Sequence, residues 1–148
     1  MSKASSIAML KAGAEGAFAP LVSLVTTADG ADHPLAYFWL TGILSSFLDN
    51  APTYAVLAVV ARTQATPEAT NLAGLAADPA GSTLLAAICC GAVFMGANTY
   101  IGNGPNFMVR TIAEGRGYHM PGFLAYLGIA LAVLGPVFLL VTFVLFAG

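Results

Sequence analysis

Of the 148 residues in this chain, 58% are hydrophobic and only 8% are charged. A soluble domain carries about 25% charged residues; so few charges cannot cover this much apolar surface, which makes lipid the better solvent and leaves a very apolar soluble helical domain as the alternative. The formal net charge of −2, with no basic stripe to track phosphates, excludes a nucleic-acid partner.

Residues 5–27 come first. Ile7, Leu10, Ala14 and Phe18 recur at helical spacing, with Lys11 and Glu15 as an i,i+4 pair facing elsewhere. This predicts an amphipathic or linker helix lying in the membrane interface, with a short spanning helix as the alternative. Pro20 should end or bend it. A signal peptide is matched only superficially, because Lys11 and Glu15 interrupt any apolar core. The opening reads as a segment entered midway through a longer protein. TTADGADHP follows as a turn-rich polar loop.

Between Pro34 and Ala61 the only formal charge is Asp49. A straight helix of that length would reach about 42 Å, against a hydrocarbon core of about 30 Å. The cluster LDNAPT breaks the run near its middle. The pattern predicts a re-entrant helical hairpin over 34–61, with its tip at Asp49–Pro52. Residues 62–82 are polar and loop-like, and their Ala-rich middle can form a short surface helix.

Pro79–Val109 carries no charge and is again too long for one span. Its centre, GANTYIGNGPN, is rich in glycine and ends at a proline. A discontinuous helix over 83–116 is predicted, with arms at about 83–96 and 106–116 and an unwound stretch between them. The adjacent Cys89 and Cys90 cannot build a disulfide framework or a four-ligand zinc site. They read as small packing residues, with a soft-metal or arsenite contact as the minor alternative. After the polar turn EGRGYHMPG, residues 122–146 form an uncharged transmembrane helix, with a bend expected at Gly135–Pro136.

The odd cluster occurs twice. SSFLDNAPTYAV at 45–56 aligns with NTYIGNGPNFMV at 98–109 at a constant offset of 53 residues, matching Asn50 to Asn103, Pro52 to Pro105 and Val56 to Val109. Proline lacks a backbone N–H and suits the first turn of a new helix. Opening a helix in lipid strands backbone groups, which is tolerated only inside protein or beside a water-filled cavity. The amides of Asn50, Asn98, Asn103 and Asn106 and the hydroxyls of Ser45, Ser46, Thr53 and Thr99 can pair with them. Pro52, Gly102, Gly104 and Pro105 supply the breaks. Two such breaks meeting near the midplane is the site architecture of secondary transporters; the alternative is a pair of packing kinks satisfied locally. Asp49 reads either as an ionisable functional group at depth or as a helix cap.

FLDNAPTY and GANTYIGNGPNFMV, with YFWLTGILSSFLDNAPTY and the closing GRGYHMPGF, resemble the C-terminal half of the ion transporter superfamily. The likeness is nearest to the bacterial sodium/proton antiporter and citrate-transporter-like branch. It implies an all-α integral membrane fold and half of an inverted-repeat transporter. It also implies cation sites at the tips, alternating access, homodimers in the bacterial inner membrane, and a missing N-terminal half in the same polypeptide or a separate chain. Carried onto this sequence, the candidate cation or substrate contacts are Ser46, Asp49, Asn50, Thr53, Asn98, Thr99, Asn103 and Asn106.

Dicarboxylate-transporting relatives carry Ser-Asn-Thr at such tips. Here the hairpin has Asp49-Asn50-Ala51-Pro52-Thr53, and no Lys or Arg lies in either break to receive a polyanion. The expected function is therefore sodium/proton antiport, with sodium and protons as its partners. The alternative is a cation-coupled citrate, carboxylate or oxyanion carrier; a different class is a non-transporting structural membrane subunit. No enzyme is expected, since no nucleophile–His pairing, HExxH or phosphate loop is present. No cofactor is expected, nor any metal beyond transported sodium.

Overall fold

The computed structural model describes residues 19–26 and 32–146. Among these the architecture is all-helical: α1 (Ala19–Val25), α2 (Pro34–Ser45), α3 (Asn50–Ala65), α4 (Leu72–Ala77), α5 (Pro79–Met95), α6 (Gly104–Gly115) and α7 (Phe123–Val141). A 3₁₀ turn, Gly96–Asn98, extends α5, and a π-helical turn, Thr142–Phe146, ends α7. An isolated antiparallel bridge joins Thr26 to Asp32. Pro20 lies inside α1; the expected amphipathic segment over 5–18 falls outside the described residues.

Local signals explain the element ends. Pro34 occupies the first turn of α2, where its missing N–H would have had no helical partner anyway. Residues 46–49 then turn the chain, and Asp49 caps α3. At about 1.5 Å per residue, α2 is about 18 Å long and α3 about 24 Å. The second helix continues to Ala65, past the boundary expected at residue 61. Arg62 stays helical there, and its guanidinium Nη1 donates to Ala69 O at 2.9 Å. A cation in a last turn is favoured by the helix dipole. The next long helix likewise starts earlier than expected, at Pro79 rather than 83. Asp78 Oδ2 accepts from Gly81 N at 2.7 Å, with proline at the first helical position.

α5 is the central rod, with α2 and α3 packed on it. Tyr37, Phe38, Leu57, Ile88 and Met95 are fully or almost fully buried between them. The α2–α5 approach is close because Gly91 faces backbone. A Cβ at Gly91 would lie 2.3 Å from Phe38 O and 3.2 Å from Gly42 N. Small residues serve this purpose in membrane helices, where dense contact replaces the hydrophobic effect.

α7 crosses the outside of this layer and runs through Pro136 without ending. Its far end is fixed: Trp39 Nε1 donates to Thr142 Oγ1 at 3.1 Å, and the Phe38 and Phe146 rings lie 5.4 Å apart. Most of its surface is open, with Leu124 77% and Val133 64% exposed. Pro79–Asn98 and Phe123–Phe146 are long and apolar enough to cross a membrane, with mean hydropathies of 1.8 and 2.8. Apolar side chains left bare along such helices fit a lipid surround.

Ahead of α2, Tyr37 Oη donates to Asp32 Oδ1 at 3.0 Å. Burial pushes the Asp32 carboxyl above its ordinary value of 3.8, and the Tyr37 hydrogen bond only partly opposes this. A carboxyl raised in the folded state binds its proton more tightly than in the unfolded chain. Its contribution is therefore fully present below about pH 3.8 and is lost as pH rises through the raised value. Asp32→Asn keeps an acceptor for Tyr37 and removes the charge. Thermal unfolding in detergent should show the variant gaining on the parent as pH rises from about 4 to 7; a constant difference across that range would refute the assignment.

Candidate functional site

The two helix interruptions meet. At the hairpin tip, Ser46 is 4% exposed, and its Oγ lies 2.9 Å from both Gly42 O and Met95 O. The first is its own helix and the second is the last carbonyl of α5. Ser46 Oγ also accepts from Asn98 Nδ2 at 3.1 Å. Thr99 Oγ1 donates to Ser46 O and accepts from Gly102 N at 3.0 Å. Ser46 and Thr99 are equivalent positions of the sequence repeat, so the repeat touches itself here.

Asn50 bridges the breaks from the other side. Its amide nitrogen is 3.0 Å from Gly102 O and 2.7 Å from Ser45 Oγ, the orientation that its acceptor neighbours require. Ser45 Oγ in turn donates to Ala92 O at 2.7 Å. The backbones themselves are in contact: a Cβ at Gly102 would lie 2.4 Å from Gly96 O and 2.9 Å from Ser45 O. Asn106 Nδ2 donates to Thr99 O at 3.1 Å and, at the longer distance of 3.4 Å, to Gly96 O. Non-helical backbone is thus paired by side chains, Thr99 and Asn50 reaching across from the opposite break and Asn106 acting within its own, as buried backbone requires.

Five of the eight candidate contacts (Ser46, Asn50, Asn98, Thr99 and Asn106) converge on this junction. The other three act locally. Asn103 Oδ1 accepts from Asn106 N at 3.0 Å and caps α6. Thr53 is buried, with its Oγ1 donating to Asp49 O at 3.0 Å. Asp49 is exposed and caps α3 by accepting from Ala51 N at 3.4 Å. The matched asparagines therefore do different work. Asp49, one position before Asn50, takes the cap, which frees Asn50 to cross the junction. Pro52 and Pro105 lie in the first turns of α3 and α6, and Gly104 has open space around it.

One atom in the junction is left over. Asn98 is 4% exposed, and its Oδ1 has no hydrogen-bond partner. A buried acceptor without a partner costs roughly 1–3 kcal/mol, so it calls for a donor or a cation. The oxygens nearby are neutral hydroxyls and carbonyls, the set that suits a hard cation. Among the described residues, no group of three or more His, Cys, Asp or Glu could hold a metal ion. Thr41 Oγ1, one turn before Ser45, is likewise buried and unpaired.

Beside the tip lies an open apolar depression of about 260 Å³ lined by Asn50, Ala51, Tyr54, Cys89, Ala92 and Val93. Cys89 borders it, whereas Cys90 packs against the core; both thiols are free.

Sequence reasoning missed the aromatic bracket behind the junction. Tyr100 and Tyr126 stack at 4.1 Å between ring centroids, and the Arg110 guanidinium lies 4.6 Å from the Tyr100 ring centroid. Tyr126 sits in an apolar run with no local signal to mark it. Tyr100 was visible only as the repeat partner of Phe47.

Two helices long and apolar enough to cross a bilayer thus carry, between and beside them, two interruptions whose open backbones pair at one junction. Residues 1–146 match the family described as "Putative citrate transport", and the chain belongs to that family. No curated protein and no solved structure matches it.

Proposed function

We propose that the chain supplies the cation-binding junction of a secondary transporter that carries citrate or a related carboxylate across the bacterial inner membrane. The observation that carries this reading is the buried, unpaired Asn98 Oδ1 at the meeting of the two breaks. Supporting it, α3 and α6 both begin beside the junction. Helix N-termini favour carboxylates, and transporters use broken helices this way. With no Lys or Arg in either break, co-bound cations must offset the charge of the anion. Citrate thus takes first place over sodium/proton antiport, supported by the family description and by the outward position of Asp49. In this reading the chain is one of two inverted halves, the other half being in the same polypeptide or a separate chain, and the working unit is a homodimer.

The test is uptake of labelled citrate into vesicles holding the whole polypeptide that carries this chain. Sodium in place of choline should raise the uptake at least about tenfold, equivalent to about 1.4 kcal/mol of coupling. Citrate uptake that ignores every cation would refute the proposal.

Sodium/proton antiport is the second reading, favoured by Asp49 as the only carboxylate at either tip. Asp49→Asn separates the two, because asparagine caps a helix about as well as aspartate. A citrate carrier with Asp49 as a cap should keep its sodium-driven uptake within about twofold and its Tm nearly unchanged. An antiporter should lose sodium-driven proton flux. Absence of both fluxes in the parent protein would leave a structural membrane subunit.

A further inference from the structure

The 3₁₀ turn that carries Asn98 is braced from α7. Tyr126, in the first turns of that helix, donates its hydroxyl to Ala97 O at 3.3 Å. That carbonyl belongs to the residue immediately before Asn98. The Tyr126 ring stacks on Tyr100 at 4.1 Å with 28° between planes. Tyr100 is 2% exposed, and its own hydroxyl donates to Pro121 O at 3.1 Å, just ahead of α7. The Arg110 guanidinium covers the Tyr100 ring and is itself held by Glu114 Oε1 at 3.0 Å. The open stretch is thus gripped on one side by α7 and on the other by α6.

This grip bears on Asn98 directly. Its amide nitrogen is committed to Ser46 Oγ, so the direction of Oδ1 depends on where the backbone at 97–98 sits. The Tyr126 hydroxyl is the side-chain partner of the Ala97 carbonyl, while Asn106 holds the flanking Gly96 and Thr99 carbonyls. We propose that Tyr126 is a positioning residue: by holding the Ala97 carbonyl it fixes the Gly96–Asn98 turn and keeps Asn98 Oδ1 ready for a cation. It therefore sets cation affinity rather than the speed of the cycle. The inference rests on the reading of the junction as a cation site.

Two conservative variants isolate the hydroxyl. Tyr126→Phe keeps the ring stack and loses only the bond to Ala97; Tyr100→Phe loses the bond to Pro121 and leaves Ala97 O held. In vesicles containing the whole polypeptide, the sodium dependence of citrate uptake gives a KM for sodium and a Vmax. Tyr126→Phe should raise that KM about fivefold, the scale of one modest hydrogen bond, with Vmax kept within about twofold. Tyr100→Phe should leave KM within about twofold on the same scale. Hydrogen exchange over residues 96–102 should quicken in Tyr126→Phe and stay near the parent in Tyr100→Phe. An unchanged KM with unchanged exchange in Tyr126→Phe would overturn the proposal, and so would a fall in Vmax alone. A parent protein with no sodium dependence would remove the cation reading and the affinity claim together. Hydrogen exchange would then still decide whether the hydroxyl orders the turn.

Discussion

Replacing Gly91 with alanine is expected to destabilise the helix layer by about 2–3 kcal/mol, and with valine by more. The added carbon would lie 2.3 Å from Phe38 O, and neither partner can yield by a rotamer change, because both are backbone. The helices α2 and α5 would have to separate. Tyr37, Phe38 and Ile88, fully buried between them and their neighbours, would lose contact together. A domain with about 5–15 kcal/mol of total stability can lose its cooperative unfolding to such a change. Thermal unfolding in detergent, followed by the Trp39 signal, measures it. A Gly91→Val protein with parental Tm would show that the helices are not held at this distance.

The second large effect falls on transport rather than stability. Asn98→Ala removes the unpaired Oδ1 and the donor to Ser46 Oγ. Ser46 Oγ keeps an acceptor for its single proton in Gly42 O or Met95 O, and the unpaired buried acceptor is gone. The stability change should therefore stay within about 1 kcal/mol. Sodium-dependent citrate uptake should fall at least about tenfold, since a dipole aimed at a cation in a dry site is worth more than one in water. Uptake that persists at the parental level would place the cation elsewhere. Uptake lost together with several degrees of Tm would mark Asn98 as structural.

The all-helical architecture was legible because uncharged runs too long for one span leave few other solutions in lipid. The interruptions coincide with Asn-x-Pro because proline both stops one helix and opens the next. Asp78–Pro79 carried the same kind of signal and was readable as a helix start, yet the polar composition of 62–82 masked it. The division of labour between Asp49 and Asn50 was not legible. Both cap helices well, and a shift of one residue in the cap decides which side chain is free to cross. Nor was the pairing of polar groups across the breaks: sequence shows which side chains can satisfy open backbone, not which partner each will meet. Tyr126 was beyond reach for the same reason, since its contact with Ala97 spans 29 residues and leaves no periodic trace.

The outer helix α7 has one mechanical consequence. It is tied near its start to the turn before Asn98 and at its far end to Trp39 on the hairpin, with Phe138 and Leu134 seated on the core between. A helix of 19 residues is a rod of about 28 Å. Held in this way, it acts as a connecting rod: any sliding of the hairpin root must either tilt it or tug on the turn that carries Asn98.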